Sequence, residues 1–300
     1  MPYPTGPSRA RERIQPLLVV CVLAVLSMVI AVIGATPARV SARELLGDTR
    51  EPGDVAFIAS HRGGGAEAPE NTLPAVAGAL AGGYEYVEVD VALTADERAV
   101  LMHDKSVDRT TDGQGALASL TWEEVRTLDA GSWFSAEYAG TAVPTFDQFL
   151  AVLEAYSGRA IVELKGEWSD AAISDAVEAV EARRLDAQVV FASFDARTLA
   201  SVAASTDVVS RLLILKHMPA DIVRATAEAD VPGIIVSAAA VRAQPDLVDS
   251  LHAAGRRVVV YTLNSDSQWE EMTELGVDGI VTDEPTTLLD WQRAYAGRES

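Results

Sequence analysis

Residues 86–103 read YVEVDVALTADERAVLMH. The two-residue alternation over Tyr86–Asp90 marks a strand, because successive side chains along a strand point to opposite faces. Glu88 and Asp90 therefore share one face, and Val87, Val89 and Val91 the other. A second β-rich run, Ala99–His103, begins after only Thr94–Arg98. A parallel crossover needs about a dozen residues or more. The Asp96-Glu97 turn must then close an antiparallel hairpin, which folds His103 back beside the two acids.

Outward from this hairpin, short β-branched runs alternate with alanine-rich amphipathic stretches. Strands are expected at Phe57–His61, Tyr86–Asp90, Ala160–Lys165, Val189–Ser193, Leu212–Leu215, Ile234–Ser237, Val258–Leu263 and Gly279–Thr282. Between them the helical stretches are Leu73–Ala81, Ala171–Arg184, Arg197–Ala203, Ala220–Ala229, Pro245–Ala253 and Ser267–Leu275. Eight βα units over residues 54–292 predict an α/β fold closed as a TIM-type (β/α)8 barrel. A doubly wound sheet would want a G-x-G-x-x-G loop after its first strand, and Gly63-Gly64-Gly65 does not extend into one. Residues from about 105 to 145 form an insertion with one helix, announced by the capping box Thr121-Trp122-Glu123-Glu124.

The N-terminal fifty residues are of another kind. Leu17–Ala35 is an unbroken apolar stretch of about 28 Å as a helix, close to the hydrocarbon thickness of a bilayer. Arg9, Arg11 and Arg13 before it should stay cytoplasmic. The expected order is a basic segment 1–16, a transmembrane anchor or signal peptide 17–35, and a linker 36–53. The barrel would then lie outside the cell membrane, anchored there, or secreted after cleavage at Val40-Ser41-Ala42. The chain carries a net charge of -20, of which the first fifty residues contribute the opposite sign. So acidic a surface repels a polyphosphate backbone, which argues against nucleic acid as a partner. The single cysteine, Cys21, excludes an intrachain disulfide.

In a barrel of this kind the active site lies where the strands end. The strand ends here are His61-Arg62-Gly63, Glu88-Val89-Asp90, His103-Asp104, Glu163-Leu164-Lys165, Thr262-Leu263-Asn264 and Thr282-Asp283. Glu88, Asp90 and Glu163 pointed into one mouth demand positive charge, and an oxygen-only set favours a hard cation, Mg²⁺ or Ca²⁺. A structural cluster of these acids with Lys165 alone would leave two carboxylates over. His61 and His103 beside them make a general acid–base pair. His217 is expected to be structural and His252 to lie on the helix surface. No G-x-S-x-G elbow, Walker loop, H-E-x-x-H helix or paired-cysteine zinc site is present.

Taken with Pro69-Glu70-Asn71-Thr72, Ser193-Phe194-Asp195, Thr282-Asp283-Glu284-Pro285 and the insertion stretch Leu128–Phe134, these motifs resemble, in order and spacing over about residues 55–290, the glycerophosphodiester phosphodiesterases. The resemblance implies metal ligation by Glu88, Asp90 and Glu163, acid–base catalysis by His61 and His103, and phosphate contacts from Arg62 and Lys165. It implies attack of the glycerol 2-hydroxyl on phosphorus and release of glycerol 3-phosphate and an alcohol. Tyr261 stands where the family commonly has tryptophan and would keep an aromatic wall for the glycerol, with Glu70 and Asn264 supporting the site from behind. The neighbouring alternatives are a phosphodiesterase of the same barrel acting on lysophospholipids or phosphoinositol-type lipids, and an inactive binding module. A barrel glycosidase would leave the two histidines without a role.

Overall fold

The structure is a computed structural model and describes residues 42–297. The candidate membrane span 17–35 lies outside the described residues. No helix among the described residues is long and apolar enough to cross a membrane.

Among the described residues nine strands form one sheet: β1 (Phe57–Ser60), β2 (Tyr86–Leu93), β3 (Ala99–Leu101), β4 (Ala160–Leu164), β5 (Val189–Ser193), β6 (Ser210–Leu215), β7 (Gly233–Ser237), β8 (Arg257–Tyr261) and β9 (Gly279–Thr282). Eight of them run parallel in the order β1-β9-β8-β7-β6-β5-β4-β2, and β1 pairs back onto β2 through Ala59 with Tyr86 and Ser60 with Val87, closing the barrel. The ninth, β3, pairs antiparallel with the far end of β2, Val91 opposite Leu101 and Leu93 opposite Ala99, so the expected hairpin is there. Met102 extends it by donating its N–H to the Asp90 carbonyl at 3.0 Å.

The alternation read from the sequence sorts the side chains as expected. Tyr86 and Ile161 point into the barrel with Phe57, Ala59, Val190, Leu212, Val259 and Val281. Val87, Val89, Val91, Val162 and Leu164 point outward and pack under the helices. Large branched residues inside and a continuous apolar outer surface are what a barrel wrapped in helices requires.

Several boundaries differ from the sequence reading. The first strand stops at Ser60, and His61–Gly63 forms a 3₁₀ turn with Arg62 at φ +54°. The turn is tight because Gly63 lies against the Ala75 backbone, where a Cβ would sit 2.8 Å away. The fourth strand ends at Leu164, one residue before Lys165, and the eighth at Tyr261. Beyond residue 53, three α-helices had no counterpart in the sequence reading: Phe146–Tyr156, Ala238–Ala243 and Pro285–Ala296. The first is capped by a box, Thr145 with Gln148, and supplies the crossover from the hairpin to β4. The expected insertion helix is Trp122–Val125, with its Thr121–Glu124 box formed. It packs over a small core of Val100, Met102, Val107, Leu117, Val125, Ala130 and Val143.

Within the stretch expected as linker, Ala42–Leu46 forms one helical turn whose Leu45 and Leu46 are buried against the barrel interior. Its last carbonyls are taken up from the barrel: Leu45 by the Tyr86 hydroxyl and Arg159, Gly47 by Arg257 through Nε at 3.0 Å and Nη2 at 2.7 Å. His252 is not a surface residue as expected. It is mostly buried, with Nε2 2.8 Å from Asp278 Oδ2. Asp278, fully buried, also accepts the N–H groups of Val258 at 2.7 Å and Arg50 at 3.2 Å. A lone buried carboxylate would be costly, and these donors satisfy it. Asp278→Ala should therefore lower the free energy of unfolding by about 3–5 kcal/mol, and His252→Ala by about 2 kcal/mol. Because Asp278 sits at the strand starts, turnover of the folded fraction should stay unchanged. Urea unfolding and kinetics on the same preparation check both.

Candidate active site

The strand ends converge on a cavity of about 200 Å³, lined on its polar side by His61, Arg62, Glu88, Asp90, His103, Glu163 and Lys165. Every candidate catalytic, phosphate-binding and metal-ligating residue from the sequence is thus in one place. The opposite wall is apolar and aromatic: Ile161, Ile214, Ile235, Val281, Phe194 and Tyr261. The Phe194 and Tyr261 rings meet edge to face, 6.3 Å between centroids. His217 lies outside this cavity, in an adjoining hollow with Lys216 and Leu215.

Sheet register makes the acidic cluster. The β2–β4 pairing sets Asp90 directly beside Glu163, and the pleat brings Glu88 onto the same face. One oxygen from each of Glu88, Asp90 and Glu163 lies within 4.8 Å of the others. Glu88 and Asp90 are almost wholly buried. Burial and the Asp90 charge push the Glu88 carboxyl up to about 8, and the same two causes push Glu163 up to about 7. Burial acts on Asp90 too, but Lys165 and Arg62 outweigh it and hold that carboxyl below the usual range.

Cations and amides supply what compensation there is. Lys165 Nζ is 3.0 Å from Glu163 Oε1 and 3.6 Å from Asp90 Oδ1. Arg62 gives its N–H to Glu88 at 2.9 Å, its Nη1 to Glu70 at 2.7 Å, and faces Asp90 through Nε at 3.2 Å. Asn71 closes a two-way bridge with Asp90, donating Nδ2 at 2.9 Å and accepting its backbone N–H at 3.0 Å. Two carboxyls still resist ionisation, so the cluster remains short of positive charge. Two oxygens on one Ca²⁺ sit at most about 5 Å apart, so these three fit a single hard cation.

Each histidine is held by a carboxylate at Nδ1. His61 lies 2.6 Å from Asp283 Oδ1, and His103 2.7 Å from Asp104 Oδ1. That leaves Nε2 of each ring for a substrate. Their environments differ: burial pulls both down, but for His61 the Asp283 bond and the Glu88 charge prevail and raise it, whereas His103 stays lowered. Asp283 is fixed in turn by Asn264, whose Nδ2 donates to Oδ2 at 2.6 Å and whose Oδ1 accepts the Asp283 N–H at 2.9 Å. Glu70, expected as a supporting group, takes Arg62 and also both Nη groups of Arg109 at 2.7 Å.

Five contributors escaped the sequence reading as site residues: Asn71, Asp104, Arg109, Phe194 and Asp283. Asp104 and Asp283 stood at strand ends beside the histidines, which was a usable signal. Asn71 sits at φ +56° in a loop, and Arg109 in the insertion, where strand periodicity gives no direction.

Residues 61–287 match the glycerophosphoryl diester phosphodiesterase family. The chain is 31% identical over 234 residues to a glycerophosphodiester phosphodiesterase of Bacillus altitudinis, covering 76% of this chain and 94% of that one. It is 29% identical over 249 residues to one of Caldanaerobacter subterraneus subsp. tengcongensis, covering 79% and 98%. An Oleispira antarctica phosphodiesterase, solved in complex with the product sn-glycerol-3-phosphate, superposes with a TM-score of 0.70 at 27% identity, covering 79% of this chain and 96% of that one. With the barrel, the acidic cluster and the paired histidines in the expected order, the chain belongs to the glycerophosphoryl diester phosphodiesterase family of enzymes.

Proposed function

We propose that the chain hydrolyses glycerophosphodiesters to glycerol 3-phosphate and an alcohol, with a divalent cation held by Glu88, Asp90 and Glu163 and protons moved by His61 and His103. The observation that carries this reading is the pair of carboxylate-held imidazoles flanking the three-carboxylate cluster. The solved relative with glycerol 3-phosphate as its product supports the substrate class.

Bound at the cluster, Mg²⁺ or Ca²⁺ would neutralise charge developing on the phosphoryl oxygens. Arg62 and Lys165, whose own ionisation the surrounding acids reinforce, point cationic groups at the same place. The opposite displacements of the two histidines support a division of roles, since groups pushed apart in pKa divide into acid and base. His103, more readily neutral, takes the proton of the attacking glycerol 2-hydroxyl as its oxygen bonds to phosphorus. His61, kept protonated by Asp283, gives a proton to the alcohol oxygen as its bond to phosphorus breaks. Water then opens the cyclic phosphate: it gives a proton to His61 as its oxygen bonds to phosphorus, and His103 returns a proton to the glycerol 2-oxygen as that bond to phosphorus breaks. Tyr261 and Phe194 bound the apolar side of the glycerol.

Chelation should abolish hydrolysis of a glycerophosphodiester panel, and Mg²⁺ or Ca²⁺ should restore it. Glu163→Gln should weaken cation binding measured by calorimetry while the barrel stays folded. Full turnover by a metal-free preparation in excess EDTA would refute the cation's role.

The pH–rate profile should be bell-shaped, and His61→Ala or His103→Ala should each lower turnover by about a hundredfold or more. Asp283→Asn removes the negative partner that holds the His61 proton, so the His61 pKa falls and the alkaline limb moves to lower pH. An unmoved limb in a folded Asp283→Asn protein would reverse or void the assignment.

The sequence of residues 17–35 supports a further proposal, that the catalytic domain is held at the cell membrane on its outer side, or released there by cleavage. External protease should then digest the domain on intact cells carrying the anchored form. Complete protection would place it inside.

A further inference from the structure

Arg109 belongs to the insertion, not to a barrel strand, yet its guanidinium touches both carboxylates behind the polar half of the site. Nε donates to Asp104 Oδ2 at 2.7 Å, while Nη1 and Nη2 donate to the two oxygens of Glu70 at 2.7 Å each. The other oxygen of Asp104 faces His103 Nδ1 at 2.7 Å, and Glu70 is locked by Arg62 Nη1 at 2.7 Å. One planar group thus joins an anchored acid on the barrel loop to the acid that orients a histidine.

We propose that Arg109 is a positioning residue for catalysis: it transmits the fixed position of Glu70 to Asp104, and through Asp104 sets the ring plane and the Nδ1–H tautomer of His103. The proposal rests on His103 acting in proton transfer.

Three observations separate this from a plain surface clamp. Arg109 is 45% exposed at its side chain, where an ion pair contributes little to stability. Glu70, by contrast, is only 10% exposed, so it is a rigid anchor. And the chain of contacts ends on a ring nitrogen inside the catalytic cavity rather than at solvent. Asp104 alone cannot fix the ring, because it neighbours His103 in sequence on an irregular segment and needs its second oxygen held. Its carboxyl is kept down to about 2, chiefly by the Arg109 hydrogen bond, then by His103. Lysine could not replace the arginine, since a single ammonium does not present Nε and two Nη donors in one plane to two acids.

The test uses the full chain with its cation present. Arg109→Gln and Arg109→Ala should lower kcat by about tenfold to a hundredfold, as expected for a catalytic group displaced by an ångström or less. KM should change little, and the melting temperature should fall by less than about 4 °C. Arg109→Lys should recover only part of kcat. Guanidinium at tens of millimolar should restore part of the activity of Arg109→Ala and none to Asp104→Ala. Independently of turnover, the His103 Nδ1–H proton signal in NMR should be resolved in the wild-type protein and lost in Arg109→Gln. Wild-type kcat in Arg109→Gln, with His103→Ala inactive, would overturn this proposal alone. Near-normal kcat in His103→Ala would instead overturn the proton-transfer reading. A kcat loss in Arg109→Gln that keeps the His103 signal and shows no guanidinium rescue in Arg109→Ala would also reject the positioning role.

Discussion

Three carboxylates placed side by side and out of water are the constraint on which the upper half of this barrel depends. Taking even one ionised carboxylate out of water is expensive, and three in contact repel one another as well. Almost every polar contact around Glu88, Asp90 and Glu163 answers that cost. Arg62 faces two of the acids, Lys165 faces two, and Asn71 gives Asp90 both a donor and an acceptor. These donors do not suffice, since Glu88 and Glu163 still hold protons above the ordinary carboxylate range. A cluster that so disfavours its own charge in isolation has the electrostatics of a cation site, which is the basis of the proposed cation role, and Arg62 and Lys165 are the cations that stabilise it.

The barrel makes this cluster from ordinary strand geometry. Along β2 the same five residues deliver valines to the helical shell and acids to the mouth, because the period of a strand is two. Register with β4 then decides which acids meet, and Asp90 opposite Glu163 is a pairing no single strand could specify. A slip by one residue would put Leu164 in the mouth and Glu163 under a helix. Packing of Val89, Val91, Val162 and Leu164 into the outer core therefore enforces the position of the acids. Stability of the shell and geometry of the site are set by the same registration.

This also explains what was legible in the sequence. Strand periodicity gave Glu88, Asp90, Glu163 and Lys165 a direction, and the short Thr94–Arg98 connection allowed only a hairpin, which carried His103 to the site. The eight-strand count followed from β-branched runs, although the helices Phe146–Tyr156, Ala238–Ala243 and Pro285–Ala296 went unread beside more regular alanine-rich stretches. Irregular backbone was opaque. Asn71, at positive φ, is aimed by a turn rather than by a repeat, and Arg109 reaches Glu70 across 39 positions of sequence, whereas Arg62, also at positive φ, was named through the family resemblance and not through periodicity. His252 looked like a helix-surface residue because its partner, Asp278, is distant in sequence and only the fold brings the two within 2.8 Å.

The two ends of the barrel solve different electrostatic problems with the same scaffold. At the strand starts the buried charges are of both signs: Asp278 accepts from Val258 and Arg50 and faces His252, while Arg257 donates to the Gly47 carbonyl and Arg211 to that of Asp230. Backbone carbonyls and N–H groups meet these charges without any ligand, and Leu45 and Leu46 of the helical turn Ala42–Leu46 are buried at that end. At the strand ends the buried charges are acids, and fixed amides and side-chain cations leave them short. An end whose charges are satisfied internally contributes stability, while an end whose charges are not contributes a binding site. The difference lies in whether the buried charges at each rim are balanced by fixed protein groups, not in the strands that carry them.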